Sequence, residues 1–88
     1  MIRETLTVTN PKGIHARPSA LVARAAQEFQ SSIRFEFDGE TADARDIMQV
    51  LSLGVDHGDV LTVIVDGADE AAALERLQEV FAMNFSEE

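Results

Sequence analysis

His15 and Arg17 stand two residues apart within Gly13-Ile14-His15-Ala16-Arg17-Pro18-Ser19. An imidazole nitrogen is a good nucleophile when neutral, and near physiological pH it is neutral for a useful fraction of the time. A guanidinium is a permanent cation with a planar fork that suits phosphate oxygens. Pro18 has no backbone N–H, so it is tolerated in the first turn of a helix and poorly further in. Leu21, Val22, Ala25, Ala26 and Phe29 follow at helical spacing, which predicts a helix running to about Phe29. His15 then lies at or just before the first N–H groups of that helix, a terminus that attracts anions. Together these residues point to a histidine that carries phosphate. A histidine that caps the helix, or simply lies on the surface, accounts for the same residue less specifically.

The charge distribution bears on that reading. The 88 residues carry a net charge of −9, which argues against nonspecific binding to nucleic acid or to an anionic membrane. Residues 1–35 hold Arg3, Lys12, Arg17, Arg24 and Arg34 against Glu4 and Glu28, so this part is locally basic. The remaining residues hold only Arg45 and Arg76 against fourteen carboxylates. Arg17 and Arg24, seven apart, share a helix face. There is no cysteine, hence no disulfide and no thiolate metal site. Neither histidine has metal-ligand spacing, and no metal or cofactor is expected. No apolar run approaches the roughly 20 residues of a membrane span. The first residues lack the apolar stretch of a secretion signal. The expectation is a single soluble, cytoplasmic domain over residues 1–88.

The elements that must position His15 follow in order. Ile2 to Thr9 alternates as a strand, with Ile2, Leu6 and Val8 on one side and Glu4 the mismatch. Asn10-Pro11-Lys12-Gly13 is a turn. After the helix, Ile33, Phe35 and Phe37 alternate with charged residues as a second strand. Asp38-Gly39 predicts a tight turn into a short polar edge strand, Glu40 to Asp43. A short helix, about Ile47 to Leu53, has Asp46 as N-cap and Gly54 as C′ residue. Asp56-His57-Gly58-Asp59 is a turn in which His57 reads as a solvated loop residue. Val60 to Val65 is an apolar, central strand. Asp69 is a candidate cap for a last helix, Glu70 to about Phe85, with Ala73, Leu74, Leu77, Val80, Phe81 and Asn84 facing inward. Ser86-Glu87-Glu88 is expected to fray. The order β-α-β-β-α-β-α fits an α+β fold with helices on one face of a sheet and the other face open to solvent.

The run Gly13-Ile14-His15-Ala16-Arg17-Pro18 resembles the active-site signature of the HPr family, the histidine-containing phosphocarriers of the bacterial sugar phosphotransferase system. Asp46-Ile47-Met48-Gln49-Val50-Leu51-Ser52-Leu53-Gly54-Val55 resembles that family's second signature, which surrounds a regulatory serine. The resemblance covers essentially the whole chain. It implies an open-faced β-sandwich, with four antiparallel strands in the order 1-4-2-3 and three helices on one side. It implies that enzyme I, charged from phosphoenolpyruvate, phosphorylates Nδ1 of His15, the pros nitrogen, and that the group then passes to the IIA domain of a sugar permease. It also implies a phosphoryl carrier and a likeness to a monomer, rather than a free-standing enzyme. Arg17 and the backbone N–H groups of Ala16 and Arg17 are expected to hold the phosphoryl oxygens.

Ile47, Met48 and Leu51 lie on one face of the short helix, while Val50 and Leu53 point toward the core. By analogy with the family, Ile47, Met48 and Leu51 form a docking patch beside His15, with Ala20 at its edge and Arg24 nearby. A place in the core is the competing reading. Asp46 departs from the family pattern, standing where many members carry a serine phosphorylated by a kinase. It reads either as an N-cap alone or as a fixed anion in place of a phosphoserine. Two other functions stay open at this point. One is a regulatory member, serving a nitrogen-type phosphotransfer chain or binding an HPr kinase/phosphorylase or a transcriptional regulator. The other is a ligand-binding α+β domain, which leaves His15 unexplained.

Overall fold

The computed structural model describes residues 1–11 and 13–83. Lys12, Asn84, Phe85 and Ser86–Glu88, and the expectations placed on them, lie outside the described residues. The elements run β1 (Ile2–Thr7), α1 (Ala16–Gln27), β2 (Ser32–Phe37), β3 (Glu40–Asp43), α2 (Ile47–Ser52), β4 (Val60–Asp66) and α3 (Glu70–Ala82). The sheet is antiparallel throughout, in the order β1-β4-β2-β3. The apolar β4 is accordingly central, and the polar β3 is an edge strand.

Register follows from the alternation of side chains. Ile2 pairs with Val65, Leu6 with Leu61, and Phe35 with both Val63 and Ala42. These residues face the helices, where Leu6, Ile33, Phe35, Leu61, Val63 and Val65 join Val22, Val50, Leu77 and Phe81 in one core. Phe35 and Phe81 meet edge to face, with centroids 6.1 Å apart and planes at 83°. Arg3, Thr5, Thr7 and Arg34 occupy the opposite face and are exposed. Ile64 is buried on that open face, flanked across the strands by Arg3 and Arg34, whose aliphatic stems are long enough to cover it.

All three helices stop short of their expected ends, α3 at Ala82 with Met83 as its C-cap. α1 ends at Gln27, because Glu28 and Phe29 donate to Ala25 and Ala26 in a tightened last turn. The Arg45 guanidinium donates to the Phe29 carbonyl there, and Phe29 still packs on the core. α2 ends at Ser52, with Leu53 as C-cap and Gly54 following as the C′ residue.

Asp69 corrects an expectation. It occupies the N-cap position of α3, yet its side chain makes no capping bond. Its carboxylate accepts from the Gln30 and Ser31 amides, each at 2.9 Å, and from the Ser31 hydroxyl at 2.5 Å. Those donors lie in the α1–β2 connection, so Asp69 joins two loops that are distant in sequence. Glu70 does the local work instead, accepting from the Gly67 amide at 3.1 Å. The Ser31 hydroxyl, and after it the Gln30 amide, hold the Asp69 carboxyl below the ordinary carboxylate range. A carboxyl lowered on folding stabilises the fold above its unfolded value, and that contribution is lost as pH falls through the folded value. Asp69→Asn is therefore expected to lower Tm at neutral pH and to flatten the fall of Tm below about pH 4. Thermal melts across that acid range check this, and coincident curves for the two proteins would contradict it.

Candidate functional site

The loop that delivers His15 is tied down on both sides. Gly13 donates to the Asn10 carbonyl at 2.9 Å, and the Asn10 side-chain amide donates to the Gly13 carbonyl at 3.0 Å. Gly13 has φ +70°, a region that residues with a Cβ adopt at a cost. Ile14 is buried in the core, and its amide donates to the Val55 carbonyl at 2.9 Å. Val8 and Asp59, and Gly58 and Val8, are joined by backbone bonds of 2.9 and 2.8 Å. The chain is thus anchored on either side of the turn, and the next residue after Ile14 faces outward.

That residue is His15, exposed and in extended conformation (φ −96°, ψ −164°) at the N-cap of α1. Its side chain makes no capping hydrogen bond, so a purely capping role is excluded. Its carbonyl accepts from Ser19 at 2.9 Å, which starts the helix. Pro18, in the first turn, has no N–H to give. The amides of Ala16 and Arg17 are therefore the first-turn donors that lack an acceptor within the helix. Ala16 and Arg17 are exposed beside the imidazole. Arg17, half-buried Ala20 and exposed Arg24 recur at three- and four-residue spacing along one stripe.

α2 packs beside α1, and its direction follows from the bonds at its two ends. At its start, Arg45 donates to the Phe29 carbonyl and accepts from the Gln27 side chain, both at the end of α1. Past its end, Val55 bonds to Ile14, just before α1 begins. The two helices are antiparallel. Val50 is buried and Leu53 packs on the core, as the spacing predicts. Met48 is 67% exposed and Ile47 42%, while Leu51 is half-buried. Exposure on that scale is not core packing, and an apolar surface of this kind suits protein contact.

Asp46 is the N-cap of α2 in full. Its carboxylate accepts from the amides of Met48 and Gln49 at 3.0 and 3.2 Å, and from the Gln49 side chain at 3.2 Å. The Gln49 carbonyl oxygen accepts from the Asp43 amide at 2.9 Å, which links α2 to β3. Asp46 adjoins Ile47 and Met48 but sits at the end of α2 that meets the C-terminus of α1. It lies at the opposite end of the helix pair from His15.

Sequence reasoning missed a partner of His57. The ring is exposed, but Nδ1 lies 3.3 Å from the Asn10 carbonyl, across the turn that precedes His15. No local spacing signals that contact, because the two residues are 47 apart in sequence.

Comparisons with known proteins fit this geometry. Residues 2–83 match the family model described as the PTS HPr component phosphorylation site. The phosphocarrier protein HPr of Treponema pallidum (strain Nichols) is 39% identical over 88 residues, covering all of both chains. The crystal structure of HPr-C-His from Thermoanaerobacter tengcongensis superposes with a TM-score of 0.93 at 38% identity, covering 100% of this chain and 99% of that one. A phosphocarrier protein HPr from Bacillus anthracis str. Ames superposes with a TM-score of 0.86 at 34% identity, covering 91% of this chain and 95% of that one. With the strand order and the His15 loop, these matches place the chain in the HPr family of phosphocarrier proteins.

Proposed function

We propose that this chain accepts a phosphoryl group on Nδ1 of His15 from phosphorylated enzyme I and passes it to the IIA domain of a sugar permease, acting as a monomer in the cytoplasm. The observation that carries this reading is an outward imidazole, not used for capping, at the N-terminus of α1 with Arg17 two residues on. In the transfer, the Nδ1 lone pair forms a bond to phosphorus as the bond to the donor's histidine breaks. The two nitrogens approach the phosphorus from opposite sides. Such a step needs positioning and charge stabilisation more than covalent help from the protein. The Ala16 and Arg17 amides and the Arg17 guanidinium are the groups able to hold the phosphoryl oxygens. Phosphorus on nitrogen stays transferable, so the reverse of the same step delivers it to the next acceptor. Carriage, with no other substrate turned over, is the role.

Docking is assigned to Ile47, Met48 and Leu51 with Ala20 and Arg24. Met48→Glu is expected to raise the KM for enzyme I about tenfold, as loss of an exposed interface anchor does. Tm should hardly move, since Met48 contributes little to the core. A large stability loss with unchanged KM would assign the residue to packing. The reading as a whole is tested by incubation with phosphoenolpyruvate and enzyme I. Acid-labile phosphate on the chain is expected, and its absence would refute the proposal.

A further inference from the structure

We propose that His57 is a positioning residue for phosphoryl transfer at His15, holding the Asn10 carbonyl through its Nδ1–H. The inference rests on His15 being the acceptor. The Asn10 carbonyl has two lone pairs, and two groups approach it: the Gly13 amide at 2.9 Å and His57 Nδ1 at 3.3 Å. A carbonyl oxygen only accepts, so a hydrogen bond here requires the tautomer with its hydrogen on Nδ1.

The backbone that carries the ring is held by its own turn. The His57 amide donates to Asp56 Oδ1 at 2.8 Å, and the Asp56 amide to Asp59 Oδ2 at 2.8 Å. The bonds between Asn10 and Gly13 move with the turn and do not anchor it. Backbone ties from outside reach it at Val8 on the strand side and at Ile14 on the helix side. His57 supplies a tie between those two, at the residue whose carbonyl sets the Gly13 amide. The imidazole of His15 follows two residues later. Transfer between two histidines depends on their line of approach, so a loop that wanders costs rate before it costs binding.

The test compares wild-type protein, His57→Ala and His57→Asn in phosphoryl transfer from phosphorylated enzyme I. Loss of one neutral hydrogen bond predicts a fall of about fivefold in the rate constant for His57→Ala, with KM unchanged and Tm lowered only slightly, the contact being exposed. Asparagine places its Nδ2 donor near the position of the ring Nδ1, so His57→Asn should recover most of that rate. Equal rates for wild type and His57→Ala would overturn the proposal. So would a slow His57→Asn, since the hydrogen bond would then not be the cause. Ring 15N spectra give an independent readout: the neutral His57 ring should carry its proton on Nδ1, and a proton on Nε2 would also overturn it. If the wild-type chain took no phosphate at all, the assignment of His15 would fall, taking this role with it. If only the His57 variants failed to differ, His15 would stand.

Discussion

His15→Ala is expected to take up no acid-labile phosphate from enzyme I and phosphoenolpyruvate, while melting close to the wild-type temperature. The two halves of this expectation have different causes. Removing the imidazole removes the nucleophile, and among the described residues neither nearby candidate replaces it: Arg17 cannot lose its proton, and His57 lies in another turn with Nδ1 against the Asn10 carbonyl. Stability is spared because His15 is exposed and its side chain makes no capping bond. The usual loss of about 1 kcal/mol for truncating an N-cap comes from a side-chain acceptor that His15 does not supply. Phosphate counting and a thermal melt on the same preparation check both halves. Full phosphorylation of the variant would move the acceptor elsewhere in the chain.

Gly13→Ala is the second large effect, and it falls on fold and function together. A Cβ at Gly13 would come within 2.7 Å of the Asp56 Cα, 2.8 Å of the Val55 carbonyl oxygen and 2.9 Å of Asp56 Oδ1. Two of those neighbours are backbone and cannot swing away. The left-handed φ adds roughly 1–2 kcal/mol for any residue with a Cβ, and overpacking adds about 1–3 kcal/mol. A loss of about 2–5 kcal/mol in a domain this size lowers Tm by roughly 10–30 °C. The displaced groups include the Val55 carbonyl that holds Ile14, so the strain reaches His15 through one residue. Phosphoryl transfer at a temperature where the variant is still folded should therefore be slowed as well. A variant with lowered Tm and normal transfer would show that the anchor serves stability alone.

Much of this arrangement was legible because it repeats along the chain. Ile33, Phe35 and Phe37 marked β2 by alternation, and Asp38-Gly39 marked the turn into a polar edge strand. Pro18 and the stripe that follows it put the start of α1 at or just after His15, and the helix begins at Ala16. Asp46 and Gly54 bracketed α2 to within a residue. The exposure of Met48 and Ile47 was suggested by resemblance, since a helix this short offers little periodicity to tell surface from core. Contacts between loops left no local trace. Asp69 looks like an N-cap in sequence, yet its carboxylate serves Gln30 and Ser31, some 38 residues away. Arg45 gave no sign of reaching the end of α1, although that bond, with Ile14 on Val55, sets the direction of α2. His57 reads as any histidine in a polar turn, because Asn10, whose carbonyl its ring meets, is 47 residues away in sequence.

The pairing of β1 with β4 has a consequence for how the site comes into being. Ile2 stands opposite Val65, and Thr7 opposite Val60, so this ladder joins two segments far apart in the chain. β2 and β3 meet across a turn of two residues and can form locally. The loop bearing His15 leaves directly from β1 and is held by the residues leading into β4. A nascent chain with only its hairpin and first helix made has the histidine but not its anchorage. Competence to carry phosphate then arrives late, with the long-range closure of the sheet. In a refolding experiment, recovery of phosphoryl acceptance would mark the completed fold more stringently than recovery of helical signal.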